Sequence, residues 1–233
     1  TTETKIVKNK KSKKHKFERS NYIDPNKKTI GVPQSLNNLS LYPALKAFFN
    51  QLGYNVILSD GSSKETIERA QSYAQTEVCY PLKLAIGHTV QLLETGIDYL
   101  LFPSVTTVIK HESQSGINCA CVYMHSAPSM LEKAVNLQEH RVTLLAPVFD
   151  LAAGNEKVLS SIYETGLQLG HSKEECSRAL EFAAQNMREE RIRKKGEHGD
   201  GHGKDKYGHH KAHKERKEQK GNRADKIDKD FFF

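Results

Sequence analysis

The residues with the most chemistry in them are thiols. Cys79 stands two residues before Pro81 in Glu77-Val78-Cys79-Tyr80-Pro81-Leu82-Lys83, and forty residues on come Cys119 and Cys121, separated by Ala120. A proline that opens a helix puts the thiol just before it at the N-terminal cap region, where the helix dipole and free N–H groups favour a metal-bound thiolate. With further thiols in a later loop, this is a pattern by which an α/β domain presents cysteines to an iron–sulfur cluster. The competing reading is that no CxxC pair occurs, and scattered cysteines of an intracellular chain serve as small buried apolar residues. If Asn118 to Tyr123 is extended, Cys119 and Cys121 point to one face. Cys119 reads first as a core residue, the alternative being a stand-in for a third ligand, and Cys176, within Lys173-Glu174-Glu175-Cys176-Ser177-Arg178, reads as a helix residue with no partner.

Other polar residues are weaker candidates. His88 lies seven residues after Pro81 on the same helix face and could approach a cluster or substrate, although a hydrogen-bonded structural histidine accounts for it as well. Ser59 and Asp60 end a strand, yet a helix-capping turn explains them without a ligand. Ile30-Gly31-Val32-Pro33 followed by Gln34-Ser35-Leu36 lacks both the spaced glycines of a dinucleotide site and the Gly-Lys-Ser/Thr of a phosphate loop. No nucleotide site is expected, and no ATP hydrolysis. His198, His202, His209, His210 and His213 could bind Ni, Zn or Cu, but their Gly-rich spacing gives no fixed geometry, so adventitious binding is expected.

The elements that must position the thiols alternate. Lys28–Val32, Tyr54–Leu58 and Tyr99–Phe102 read as strands, with Asn118–Tyr123 a fourth and Val142–Leu145 a further short one. Helices are expected over Leu41–Leu52, Lys64–Ala74 after a Ser/Asp/Gly turn, and Pro81–Glu94, then over Asn155–Leu169 and Ser172–Lys195 with Gly170 between them. Strands alternating with helices of ten or more residues imply an α/β fold with a parallel, Rossmann-like sheet and helices on both faces. Ligands then gather at the carboxyl ends of the strands, where Pro33, Ser59, Pro103 and Cys121 fall.

Charge marks the ends. Residues 1–19 carry eight Lys/Arg against two acids and residues 188–233 fifteen against ten, so positions 20–187 keep 12 basic and 16 acidic residues, a net charge of −4. The basic balance belongs to the tails, which argues against a specific nucleic-acid face on the folded part. No stretch reaches the roughly 18 to 20 apolar residues of a membrane span and no signal-peptide core is visible, so a cytoplasmic location with reduced thiols is expected. Four units follow: 1–24 a basic linker or extension, 25–153 the α/β domain, 154–195 a helical extension, and 196–233 a His/Lys-rich tail too polar to offset its ordering entropy. A first residue that is Thr rather than Met reads as a fragment or processed product.

From about Lys28 to about Arg188 the chain resembles the activase-related family of the 2-hydroxyglutaryl-CoA dehydratase system. The resemblance is carried by Ile30-Gly31-Val32-Pro33-Gln34-Ser35-Leu36, Tyr42-Pro43, Phe48-Phe49, Leu52-Gly53-Tyr54, Val56-Ile57-Leu58-Ser59-Asp60, Val78-Cys79-Tyr80-Pro81-Leu82-Lys83, Asp98-Tyr99-Leu100-Leu101-Phe102-Pro103-Ser104 and Cys121-Val122-Tyr123. In the family pattern one cysteine stands seven residues before a proline; Cys121 stands so before Pro128. The resemblance thus implies Cys79 and Cys121 as ligands of a [4Fe-4S] cluster and low-potential, one-electron transfer. It also implies an ATP-dependent activase domain or a dehydratase-like subunit as partner. The family normally continues into a second α/β lobe, so this chain is expected to hold the first lobe only. A different class of function stands beside it: a non-catalytic docking domain of an activase, without metal.

Overall fold

Thr29–Val32 forms the central strand β1 in the computed structural model of the chain, which describes residues 23–36, 38–74, 77–108 and 118–197. All four residues of β1 are buried, as a strand covered on both faces requires. In chain order the further elements are α1 (Asn38–Gln51), β2 (Asn55–Leu58), α2 (Lys64–Gln71), α3 (Tyr80–Glu94), β3 (Tyr99–Leu101) and β4 (Ser104–Thr107). Then come α4 (Val122–Ala134), β5 (Thr143–Leu145), β6 (Val148–Asp150), α5 (Asn155–Gln168) and α6 (Lys173–Glu197).

The strands β2-β1-β3-β5 make one parallel sheet and β4-β6 a second, two-stranded one. The second continues the first. Leu101 pairs with Leu145 and Ser104 with Val148, the same offset on both sides of Pro103 and Pro147. Phe102 N–H donates to Leu145 O and Ser104 N–H to Pro147 O. The rung between them, Phe102 carbonyl to residue 147, has no donor because proline lacks the N–H, and there the ladder is interrupted.

Alternation along the strands splits the core between two faces. Ile30, Val32, Val56 and Leu101 pack with Leu45, Phe48 and Phe49 of α1, Val158 and Ile162 of α5, and Ala179 and Ala183 of α6. Ile57, Leu100 and Phe102 pack on the other face with Ala70 of α2, Leu82, Ala85 and Ile86 of α3, and Ala127 and Leu131 of α4. Each fully buried Leu, Ile or Phe contributes roughly 1.5 to 3 kcal/mol. Gly31 gives close packing in β1: a β-carbon there would meet the Ile97 side chain, in the turn after α3, at 2.9 Å, and Leu92 of α3 at 3.3 Å.

The α/β architecture, the parallel sheet and the helices on both faces are as the sequence implies. Some elements differ. Helix α1 starts three residues before the expected Leu41 and carries Pro43 in its interior; the carbonyl left without a donor is that of Leu39, an exposed residue that water can reach. Residues 118–123 are not a fourth strand. Cys119 makes a lone antiparallel bridge with Thr107, and Val122 already opens α4. Among the described residues no helix is long and apolar enough to cross a membrane. Of the expected basic extension 1–24 and tail 196–233, residues 1–22 and 198–233, with the five candidate histidines, lie outside the described residues, and residues 196–197 belong to α6.

Candidate functional site

Helix α3 leads into β3 and α4 into β5, so both run antiparallel to the strands and both begin at the carboxyl edge of the sheet. Cys79 is the N-cap of α3 and Cys121 the N-cap of α4. Pro81 explains the first: placed in the first helical turn, it lacks an N–H that would have had no partner there. Both cap residues are extended (φ −60°, ψ 150° at Cys79; φ −57°, ψ 138° at Cys121), and neither side chain makes a capping hydrogen bond. Their backbone carbonyls do the helical work, Cys79 O accepting from Lys83 N–H and Cys121 O from His125 N–H.

The two helices rest on one core. Cys79, Val78, Leu36 and Tyr123 are half-buried against the cluster that holds Leu82, Ala85, Ala127 and Leu131. Cys121 is exposed, and so is Cys119, contrary to its expected core position. The residue after each cap cysteine is a large apolar side chain left open, Tyr80 at 63 % and Val122 at 69 % exposure. As soft donors at two helix N-termini, the thiols suit a thiophilic group such as an iron–sulfur cluster. Among the described residues no group of three or more His, Cys, Asp or Glu is gathered so as to hold a metal ion.

His88 is not part of that edge chemistry. It is fully buried on α3, with Nδ1 3.0 Å from Ser59 Oγ and Nε2 2.9 Å from Ser62 Oγ. Ser59 Oγ also accepts from Gln34 N–H at 2.8 Å, so one serine hydroxyl joins the loop after β1 to the imidazole. Burial holds the His88 pKa below its ordinary value, with Asp60 and Gln91 acting against it. The residue ties the loop after β1, the end of β2 and the start of α2 to one helix. Asp60 is engaged as well: its N–H donates to Gln91 Oε1 and its carboxylate accepts from Gln91 Nε2.

Cys176 is buried in α6, where a β-carbon on Gly166 would stand 2.7 Å from its sulfur; burial pushes its thiol pKa up, with Glu175 adding to the shift. One residue of the edge that sequence reading passed over is Ser35, in the loop after β1, whose hydroxyl is buried without a hydrogen-bond partner. A serine after a strand carries no signal of that kind. The profile of a protein family described as a CoA enzyme activase uncharacterised domain matches residues 29–215. Searches of curated proteins and of solved structures gave no match.

Proposed function

Because the chain belongs to that family of CoA enzyme activase domains, we propose that it is an iron–sulfur redox domain, in which Cys79 and Cys121 hold part of a [4Fe-4S] cluster. The electron would pass at low potential from an ATP-dependent activase domain to a dehydratase-like partner, whose substrate class by resemblance is a 2-hydroxyacyl-CoA. One observation supports this most: the two cysteines cap adjacent helices that start on the same sheet edge over one shared core. When bound, the cluster supplies one-electron chemistry. The chain's own part is to fix two thiolates on rigid helix ends and to turn the dipoles of both helices toward the charge they hold.

Two thiolates are fewer than the four that a cubane takes, so the remaining ligands come from another cysteine or from a partner. Anaerobic reconstitution of the chain with iron and sulfide tests the reading. A brown chromophore and bound iron are expected in wild type and lost in Cys79→Ser and Cys121→Ser. Equal iron in the variants would remove these residues from the site. A second reading, a docking domain without metal, draws on the exposure of Tyr80 and Val122 beside the thiols. On that reading Cys79→Ser leaves partner binding unchanged while Tyr80→Ser weakens it.

A further inference from the structure

We propose that the Phe231-Phe232-Phe233 run of this chain docks on the open apolar edge of its own domain, over Tyr80 and Val122, and covers that edge until a partner displaces it. The inference does not depend on the cluster reading.

Two apolar surfaces of the chain stand without cover. The first lies at the carboxyl edge of the sheet. Leu39, Tyr80 and Val122 belong to the first turns of α1, α3 and α4, helices that all begin there, and they are 46 %, 63 % and 69 % exposed. Among the described residues these three are half of the large apolar side chains left open, and gathering of that kind, unlike scatter, marks an interaction surface. Half-buried Leu36, Val78 and Tyr123 pack against the core under α3 and α4. The second surface is in the sequence. From 198 to 230 the apolar residues are Tyr207, Ala212, Ala224 and Ile227, and then three phenylalanines follow in succession. An aromatic run ending so polar a segment is a compact apolar anchor.

Helix α6 leads the second surface toward the first. It starts at the amino edge, where His171 Nε2 stands 3.1 Å from the hydroxyl of Tyr54, the residue before β2. A β-carbon on Gly166 would touch Cys176 of α6, Phe48 of α1 and Leu52 just beyond α1, so the start of α6 lies beside the end of α1. Ala179 and Ala183 then continue in the core that holds Leu41 and Leu45. The helix therefore runs antiparallel to α1, toward the carboxyl edge. Its 25 residues rise about 37 Å against about 21 Å for the 14 of α1, so residue 198 leaves on the side where Tyr80 and Val122 are open. The chain from 198 to 230 can span up to about 110 Å, beyond the roughly 40 Å breadth of a domain this size. Charge agrees with the contact: positions 20–187 keep a net charge of −4, and residues 188–233 carry fifteen basic against ten acidic residues. Both surfaces belong to one chain, so the contact is intramolecular and independent of concentration.

The test is binding of the apolar dye anilinonaphthalene sulfonate to the full 233-residue chain and to its Phe231→Ser, Phe232→Ser, Phe233→Ser triple variant, each at low and at tenfold higher chain concentration. Removing three phenylalanines from an undocked tail lowers dye fluorescence or leaves it unchanged; removing them from a docked tail uncovers the edge. A rise of about twofold or more is expected in the triple variant at both concentrations, with the thermal midpoint little changed. Adding Tyr80→Ser and Val122→Ser is expected to abolish that rise. Equal or weaker fluorescence in the triple variant overturns the inference, and so does a rise that survives Tyr80→Ser and Val122→Ser, which would seat the run elsewhere. Wild-type fluorescence per chain that falls as the chain is concentrated also overturns it, by assigning the cover to a second copy. None of these results bears on iron binding by Cys79 and Cys121, which reconstitution reads separately.

Discussion

Gly87 of α3 meets the backbone of Thr66 of α2 with no room for a side chain: a β-carbon on Gly87 would overlap the Thr66 carbonyl oxygen and lie 2.8 Å from its carbon. Gly87→Ala gains about 1 kcal/mol of helix propensity but forces two backbones apart, an overpacking cost of roughly 1 to 3 kcal/mol or more. The second effect wins, because the obstacle is main chain rather than a flexible side-chain end. Denaturant unfolding of Gly87→Ala is expected to show a net loss of up to about 2 kcal/mol or more; a variant as stable as wild type would mean that α2 can lift away freely.

The Ser59–His88–Ser62 chain gives the fold a pH dependence. Its imidazole titrates below the ordinary 6.5 in the folded state because burial opposes the charge. The unfolded chain thus takes up the proton first as pH falls, so this contribution to stability is complete above pH 6.5 and is lost as pH drops through 6.5 toward the folded value. Unfolding midpoints from about pH 8 to about pH 5 should therefore fall toward acid, and His88→Gln should flatten the slope in that window. An unchanged slope would remove His88 as the source.

Asn55 pins the chain entering β1. Its Oδ1 accepts from Asp24 N–H at 3.0 Å, and its Nδ2 donates to Asp24 O at 2.9 Å and Lys27 O at 3.1 Å. Asn55→Asp keeps the acceptor but turns a carboxylate onto two carbonyl oxygens. A loss of about 2 to 4 kcal/mol is expected by calorimetry or denaturant. Asn55→Ala, which leaves the groups unpaired without adding charge, should cost less.

The cysteines should separate by place. Cys79 makes no capping bond and is half-buried, so Cys79→Ser is expected to change stability by no more than about 0.5 kcal/mol. Cys176→Ser buries a hydroxyl under Gly166 and should cost about 1 to 3 kcal/mol. In the chain without cluster, iodoacetamide should label Cys119 and Cys121 first and Cys176 only on unfolding. Early labelling of Cys176 would contradict its burial.

Much of the inner fold was legible in the sequence because its signals are local. Thr29–Val32 and Asn55–Leu58 are apolar runs closed by Pro33 and a Ser/Asp/Gly turn, and Pro81 marked the start of α3 to within one residue. Strands β4 and β6 were not legible: each is three or four residues long and follows a proline, which reads as a breaker when the pairing partner is unseen. Cys119-Ala120-Cys121-Val122 alternates like a strand, yet tertiary pairing stops at Cys119 and the helix takes over at Val122. Cys79 and Cys121 were picked out by spacing and resemblance; the exposure of Cys119, the open Tyr80 and Val122 and the unpartnered Ser35 depend on what packs nearby, which no local pattern carries.

The missing rung at Pro147 is expected to show as a step in amide hydrogen exchange between the two parts of the sheet. The inner four strands are covered on both faces, and β4 and β6 continue them beyond that rung, held by the flanking bonds of Phe102 and Ser104 and by Val105 and Phe149 in the same core; slower exchange is expected in the inner strands. It is β4 that holds Ala120 through Thr106 and Cys119 through Thr107. A sub-global opening of the outer unit would therefore release the thiol segment while β1, β2, β3 and β5 stay paired, giving the edge a way to admit or shed its ligand without unfolding.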